Sequence, residues 1–527
     1  MEDVMRKSVL SLVSLFAVSA FACGGAPDAP APLQASDGGI APSPTASGAG
    51  STELPDGGQV LPGRDPRPDA DAGPTPVPPP PPTKPNEITE QFGVFVSQSG
   101  QSNASGTRTA PLASIEAAIE RAKNENKKKV FVCEGSYAET LTLADGVSIE
   151  GRLDCTSPDW KLDETKHVDL AAPSSPAIRA TNITSATRID GLRVASPDAT
   201  TPSGSSIAVL AVDSNGLTFA NGTITAGNAM KGDDGVEAWP MMTAPRAAEA
   251  GMVEASCENR FACSSGRSGG LGARMECLGS DWRTLYVSEG GVGGGSGSYT
   301  RNTTGEPWAP ITAGFIAYSA GPGAAAAGPQ TTAVGTAGAS GAGHFDVSGY
   351  VPGDALAGTS GGIGAGGKGS DGTAPSSVPI FAGFRWGTSG AGGGAGGCPG
   401  LAGTGGKGGG ASVGLLSIRS AVQLDTMTVT SGQGGGAGSG TFGSAPSEGT
   451  PGGNAAAGAG QAGGEAGISP NGSAGPSYAI AHEGGAPLLT QTTTTAGAGG
   501  AGVDARSARG KTMPAAASGE SVPVKAL

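Results

Sequence analysis

The sequence is poor in charge and in aromatic side chains. Of 527 residues, 15% are Asp, Glu, Lys or Arg and 4% are Phe, Trp or Tyr. Binding to phosphate backbones needs clustered Lys and Arg, and with a formal net charge of -13 this chain is not a nucleic-acid partner. Its one basic run, Lys127 to Lys129, reads as a solvated loop. Histidine is scarcer still: His167, His344 and His482 are scattered, and no Cys-x-x-Cys pair occurs, so the ligand spacing of a zinc site is missing and no metal or other cofactor is expected. The apolar run at the N-terminus, Ser8 to Ala22 (SVLSLVSLFAVSAFA), is too short to span a bilayer comfortably. Glycine, by contrast, is abundant: with 95 Gly and 40 Pro the chain touches the composition range where low-complexity sequence begins. The stretch from Thr388 to Gly410, TSGAGGGAGGCPGLAGTGGKGGG, holds almost nothing that could fill a hydrophobic core.

A short charged start (Met1 to Lys7), the apolar run and Cys23 follow one another in the order of an export signal, 1–22. The residues AFAC at Ala20 to Cys23 resemble a bacterial lipobox, in which the cysteine is acylated and becomes the first residue. That resemblance implies lipidation at Cys23, the membrane as a partner through the anchor, and, with Gly24 rather than Asp following, passage to the outer membrane or cell surface. Ordinary cleavage and secretion is the alternative. Six cysteines remain: Cys133, Cys155, Cys257, Cys263, Cys277 and Cys398. An even remainder in an oxidising compartment favours disulfides. Residues 23–85 are Ala, Pro, Gly, Asp and Ser ending in PTPVPPPPPTKP, too poor in large apolar residues to offset the entropy of ordering, and read as a disordered, partly extended tether.

The first folded signal follows. Val94 to Val96 reads as a strand, and PLASIEAAIERAK as a helix with Leu112, Ile115, Ile119 and Ala122 on one face and Pro111 in its first turn. Residues 130–151 alternate apolar side chains (Val130/Val132, Leu141/Leu143, Val147/Ile149) between EGS and ADG turns, giving short strands. The order VFVSQSG, GTRTAPLASIEAAI, VFVCEGSYAETLTL, GVSIEGRL, over roughly residues 93–155, resembles the opening of right-handed parallel β-helix domains of the pectin-lyase-like superfamily, notably secreted bacterial surface proteins. The resemblance implies an all-β, right-handed parallel β-helix solenoid whose first helix caps it. It does not select an activity, since lyases, hydrolases and adhesins share that fold. Cys133 and Cys155 lie 22 residues apart, close to one solenoid turn, and are expected to form a disulfide.

Internal repeats support stacking coils. Residues 175–196 lie over 205–226 at a spacing of 30, pairing Ile189 with Phe219 and Val194 with Ile224. Residues 411–432 lie over 476–497 without gaps, pairing Leu415 with Ile480 and Leu424 with Leu489. The glycine segments then fall between units as insertions that leave a coil and return at modest entropic cost. Within them Gly recurs at 387, 390, 393, 396 and at 400, 403, 406, 409; collagen is excluded because the register breaks at Pro399 and Pro is rare elsewhere in the run. Either these segments are flexible or their backbones pack closely; Cys398, inside one of them, favours partial order. The chain divides into β-helix coils at 86–228, a Cys- and aromatic-containing insertion at 229–310, a Gly-rich insertion at 311–410, further coils at 411–500 carrying the Gly-rich loop 433–475, and a disordered tail at 501–527.

No catalytic constellation is assembled. KGDDG (Lys231 to Gly235) resembles the paired-aspartate motif of β-helix polygalacturonases, but the companion motifs are missing apart from Gly343-His344. Arg188 and Arg193 flank Asp190, yet one carboxylate cannot hold the calcium a lyase would need. The expectation is a lipid-anchored surface protein with a structural or adhesive role and no catalytic residues. The alternative is a protein that binds or degrades polysaccharide.

Overall fold

A computed structural model of the chain describes residues 88–257, 268–279, 281–303, 313–327, 332–376 and 384–527. The signal segment, Cys23, the tether to residue 85, Cys263 and Trp308 lie outside them, and of Cys257 only the backbone is described.

The described chain is strand-rich. Its one α-helix, Ile115–Asn124, is ten residues long. The helix starts later than its sequence pattern suggests because Leu112 is drawn into a bridge with Val96, which leaves Pro111 outside. Ser114 caps it by accepting from the Ala117 N–H, and the Glu139 carboxylate bonds Ser114 Oγ (2.6 Å) and the Ile115 N–H (2.7 Å), placing an anion at the positive end of the helix. Ile115, Ala118, Ile119 and Ala122 are buried in the main apolar cluster.

Two large sheets with mainly parallel pairing carry that cluster, and the chain passes from one to the other and back. In the first, Val94, Val130, Ile149, Ile189, Phe219, Leu424 and Leu489 are successive register partners, so like side chains stack in one apolar column. A second column in the same sheet runs Tyr137, Leu170, Val194, Ile224, Val429, Thr494. The second sheet stacks Leu141, Ile178, Val209, Leu415, Ile480 and Val524. The pairs drawn from the sequence repeats are thus register partners. Corners recur as well. One residue per passage takes a left-handed conformation at each of two bends: Gly191, Asn221, Thr426 and Gln491 at one, Asn182, Asp213, Arg419 and Gly484 at the other. Such φ values are uncommon outside glycine, and their return at equivalent places marks repeated bends of one kind. The arrangement is compatible with a solenoid.

Residues 501–527 are not a disordered tail. Ser521–Ala526 form the last strand of the second sheet, paired with Ser477–Glu483. Pro523, without an N–H to offer, and the charge of Lys525 both discourage a further strand from adding there.

The glycine segments are ordered, and their core is backbone. Every residue from 389 to 401 is buried. Gly387, Gly390 and Gly393 donate to the carbonyls of Gly297, Gly294 and Gly291, and Gly394, Gly397 and Gly400 donate to those of Gly458, Gln461 and Gly464. The carbonyls of Ala391, Gly394, Gly397 and Gly400 accept from Ser370, Gly367, Gly364 and Gly361, and those of Ala395, Cys398 and Leu401 from Thr450, Ser447 and Ser444. Donors and acceptors recur every third residue and address different neighbours, as they must in an extended helix of three residues per turn that has no internal hydrogen bonds. Neighbouring segments supply the partners that water would otherwise supply. The close approach requires the missing side chains: a Cβ on Gly393 would sit 2.0 Å from the Gly367 oxygen, and one on Gly396 1.8 Å from that of Gly364. Residues 433–475, expected to be a removable loop, provide two of the segments around this centre.

Candidate functional site

The polar groups singled out in the sequence are held in local structure. Lys231 Nζ lies 2.8 Å from Asp234 Oδ1, which also accepts from the Ser439 N–H at 2.7 Å. The ammonium and that N–H hold the Asp234 carboxyl below the usual range. The neighbouring Asp233 carbonyl accepts from Lys407 in the glycine bundle. His344 lines a cleft that neither aspartate lines, so the polygalacturonase-like pieces stay apart. Asp190 is buried and bracketed by Arg152 Nε (2.8 Å) and Arg188 Nε (2.9 Å), with Asn221 Nδ2 donating to it at 2.9 Å. Arg193 instead faces Asp169 at 3.9 Å. Two guanidiniums and an amide engage both Asp190 oxygens, and the buried group serves as a polar staple in the sheet. Among the described residues no three His, Cys, Asp or Glu side chains group as metal ligands.

Two disulfides tie the described structure. Cys133 and Cys155 are joined, with Cα atoms 5.7 Å apart, beside Phe95, Phe131 and Trp160. Cys277 and Cys398 are joined across 121 residues, linking the antiparallel strand Arg274–Leu278 to the centre of the glycine bundle; both are buried.

A cleft of about 940 Å³ opens on the outer side of the second sheet. It is bounded by the hairpin His344–Asp346 and Gly349–Val351, by the turn around Asn471 to Pro476, and by Pro514 to Glu520. The outer face of this sheet is apolar, with Ile207, Val413 and Tyr478 buried, and Phe345 and Tyr350 of the hairpin pack onto it. The Phe345 ring lies 4.8 Å from Tyr350 and 6.0 Å from Tyr478. Tyr478 Oη donates to Glu520 at 2.7 Å, and Lys525 pairs with the same carboxylate at 2.8 Å. Lys525 and the Tyr478 hydroxyl hold the Glu520 carboxyl below its ordinary range, while burial and then Glu520 push the Tyr478 phenol up. Burial raises Tyr350 also.

No family model, curated protein or solved structure matches the chain.

Sequence reasoning missed the cleft. Tyr350, Tyr478 and Glu520 lie in three separate segments joined only by the stacking of the sheet. The one available signal was the rarity of tyrosine, six in the whole chain, two of them here.

Proposed function

We propose that this chain is a lipid-anchored protein of the bacterial outer membrane or cell surface with a structural or adhesive role, built on a right-handed parallel β-helix of the pectin-lyase-like kind. The observation that carries the reading is the backbone-bonded glycine bundle set on stacked parallel strands: a large ordered body spending few side chains on its own core. Around it large apolar side chains stand in solvent, among them Val253 (77% exposed), Trp282 (71%), Val334 (67%), Leu356 (66%) and Trp239 (62%). Single exposed apolar side chains are ordinary on folded proteins, so these are compatible with a contact role without assigning one. The stacked registers and the left-handed corners support the solenoid, and the order of charged start, apolar run and AFAC supports the anchor. No catalytic chemistry is assigned, because Asp234 and Asp190 are each committed to cationic partners.

A second reading, binding of polysaccharide, is favoured by the aromatic cleft beside Glu520. Cell fractionation and attachment assays test the first reading. Cys23→Ser should release the protein from membranes, and deleting the gene should weaken attachment of cells to surfaces or to one another. Undiminished membrane association of the variant, or unchanged attachment on deletion, overturns it.

A further inference from the structure

The cleft on the second sheet combines two features in one place. Its wall is aromatic: Phe345 and Tyr350 are partly exposed and stand over buried Tyr478. Its lining carries the carboxylates of Glu483 and Glu520 and the His344 ring, and among the described residues no lysine or arginine. The nearby cation, Lys525, is spent on Glu520. The volume, about 940 Å³, lies within the range of small-ligand sites and is ample for two or three sugar rings.

A ligand that fits must present an apolar face to the rings and a hydroxyl donor to the exposed Glu483, since Glu520 already accepts from the Tyr478 hydroxyl and Lys525. A purely apolar ligand fails the second condition. An acidic one meets the Glu483 carboxylate, with no lysine or arginine among the described residues lining the cleft to receive it. We infer that this cleft binds an uncharged oligosaccharide, with C–H faces stacked on Phe345 and Tyr350 and a hydroxyl donating to Glu483. Uronic-acid polymers, the substrates suggested by a pectin-lyase-like fold, are disfavoured by the Glu483 charge. The inference rests on the second reading above.

Calorimetric titration of the full, detergent-solubilised protein tests it against neutral oligomers (of glucose, xylose and N-acetylglucosamine), against oligogalacturonate, and against glucosamine oligomers. Binding to at least one neutral oligomer is expected, with none to oligogalacturonate and a loss of tenfold or more in Tyr350→Ala. Glu483 is exposed, so Glu483→Lys leaves packing intact; it should weaken the neutral ligand and admit oligogalacturonate. The idea is overturned if no neutral oligomer binds, if oligogalacturonate binds the unaltered protein as well as any neutral sugar, if only glucosamine oligomers bind, or if Glu483→Lys changes nothing. Should Tyr350→Ala unfold, the Glu483→Lys result decides. Membrane retention and cell attachment are separate readouts, so failure here leaves the envelope role standing.

Discussion

Replacing Gly396 by alanine tests the glycine bundle at its centre. The new Cβ would lie 1.8 Å from the Gly364 oxygen and 2.3 Å from its carbonyl carbon. Carbon–oxygen contacts close at about 3.3 Å, so the two segments must separate by roughly 1.5 Å. The bond that joins the two segments, Gly364 N–H to the Gly397 carbonyl (2.9 Å), cannot survive such a shift. Each buried group left without a partner costs about 1–3 kcal/mol, so the donor and acceptor of that one broken bond give a loss of roughly 2–6 kcal/mol. Gly485→Ala is the control. There the nearest atom to a new Cβ is that of Ala421 at 3.6 Å, ordinary contact, and the substitution should be neutral or stabilise by about 0.4–1 kcal/mol through the unfolded chain. Urea midpoints of both variants, with amide exchange on peptides spanning 361–367 and 394–400, supply the comparison. If Gly396→Ala stays within about 0.5 kcal/mol of Gly485→Ala and exchange at those peptides is unchanged, the segments are not close-packed and the account of the glycine core fails.

Two further outcomes follow from the same structure. Asp145 accepts from the N–H groups of Thr184 (2.8 Å) and Ser185 (2.6 Å) and from Ser185 Oγ (2.8 Å) at a corner of the stack; burial alone would raise its carboxyl, but those bonds outweigh it and the net shift is downward. A depressed carboxyl contributes stability that is present above the ordinary Asp value near 3.9 and is lost as pH falls through the folded value, so thermal melts should show Asp145→Ala destabilised at neutral pH, with the gap to the unaltered protein closing in strong acid. A gap independent of pH would contradict the assignment. Removing the Cys277–Cys398 bridge by a double Cys→Ala change opens a link across 121 residues and should cost about 4–5 kcal/mol in denaturant unfolding on chain-entropy grounds. A change below about 1 kcal/mol would mean that the glycine bundle already restrains those ends.

The sequence by itself determined the stacked parallel strands, because pairing in register places residue over equivalent residue. Ile189 over Phe219 and Leu424 over Leu489 are visible as a repeat since one buried column needs apolar side chains at every level. It determined the helix face for the same reason, although not its first residue, which was set by the Val96–Leu112 bridge. Glycine spacing of three announced a three-residue period. What it could not encode was which segments pair, since Gly393 meets Gly291 and Gly367 through main-chain atoms that every residue shares. Side-chain patterns cannot specify contacts that contain no side chains. The tertiary structure alone decided that 433–475 supplies two of the segments around the centre of the bundle, that Cys398 reaches Cys277, and that Tyr350, Tyr478 and Glu520 share one cleft. Each joins residues distant in the chain across a surface that exists only after the strands have stacked.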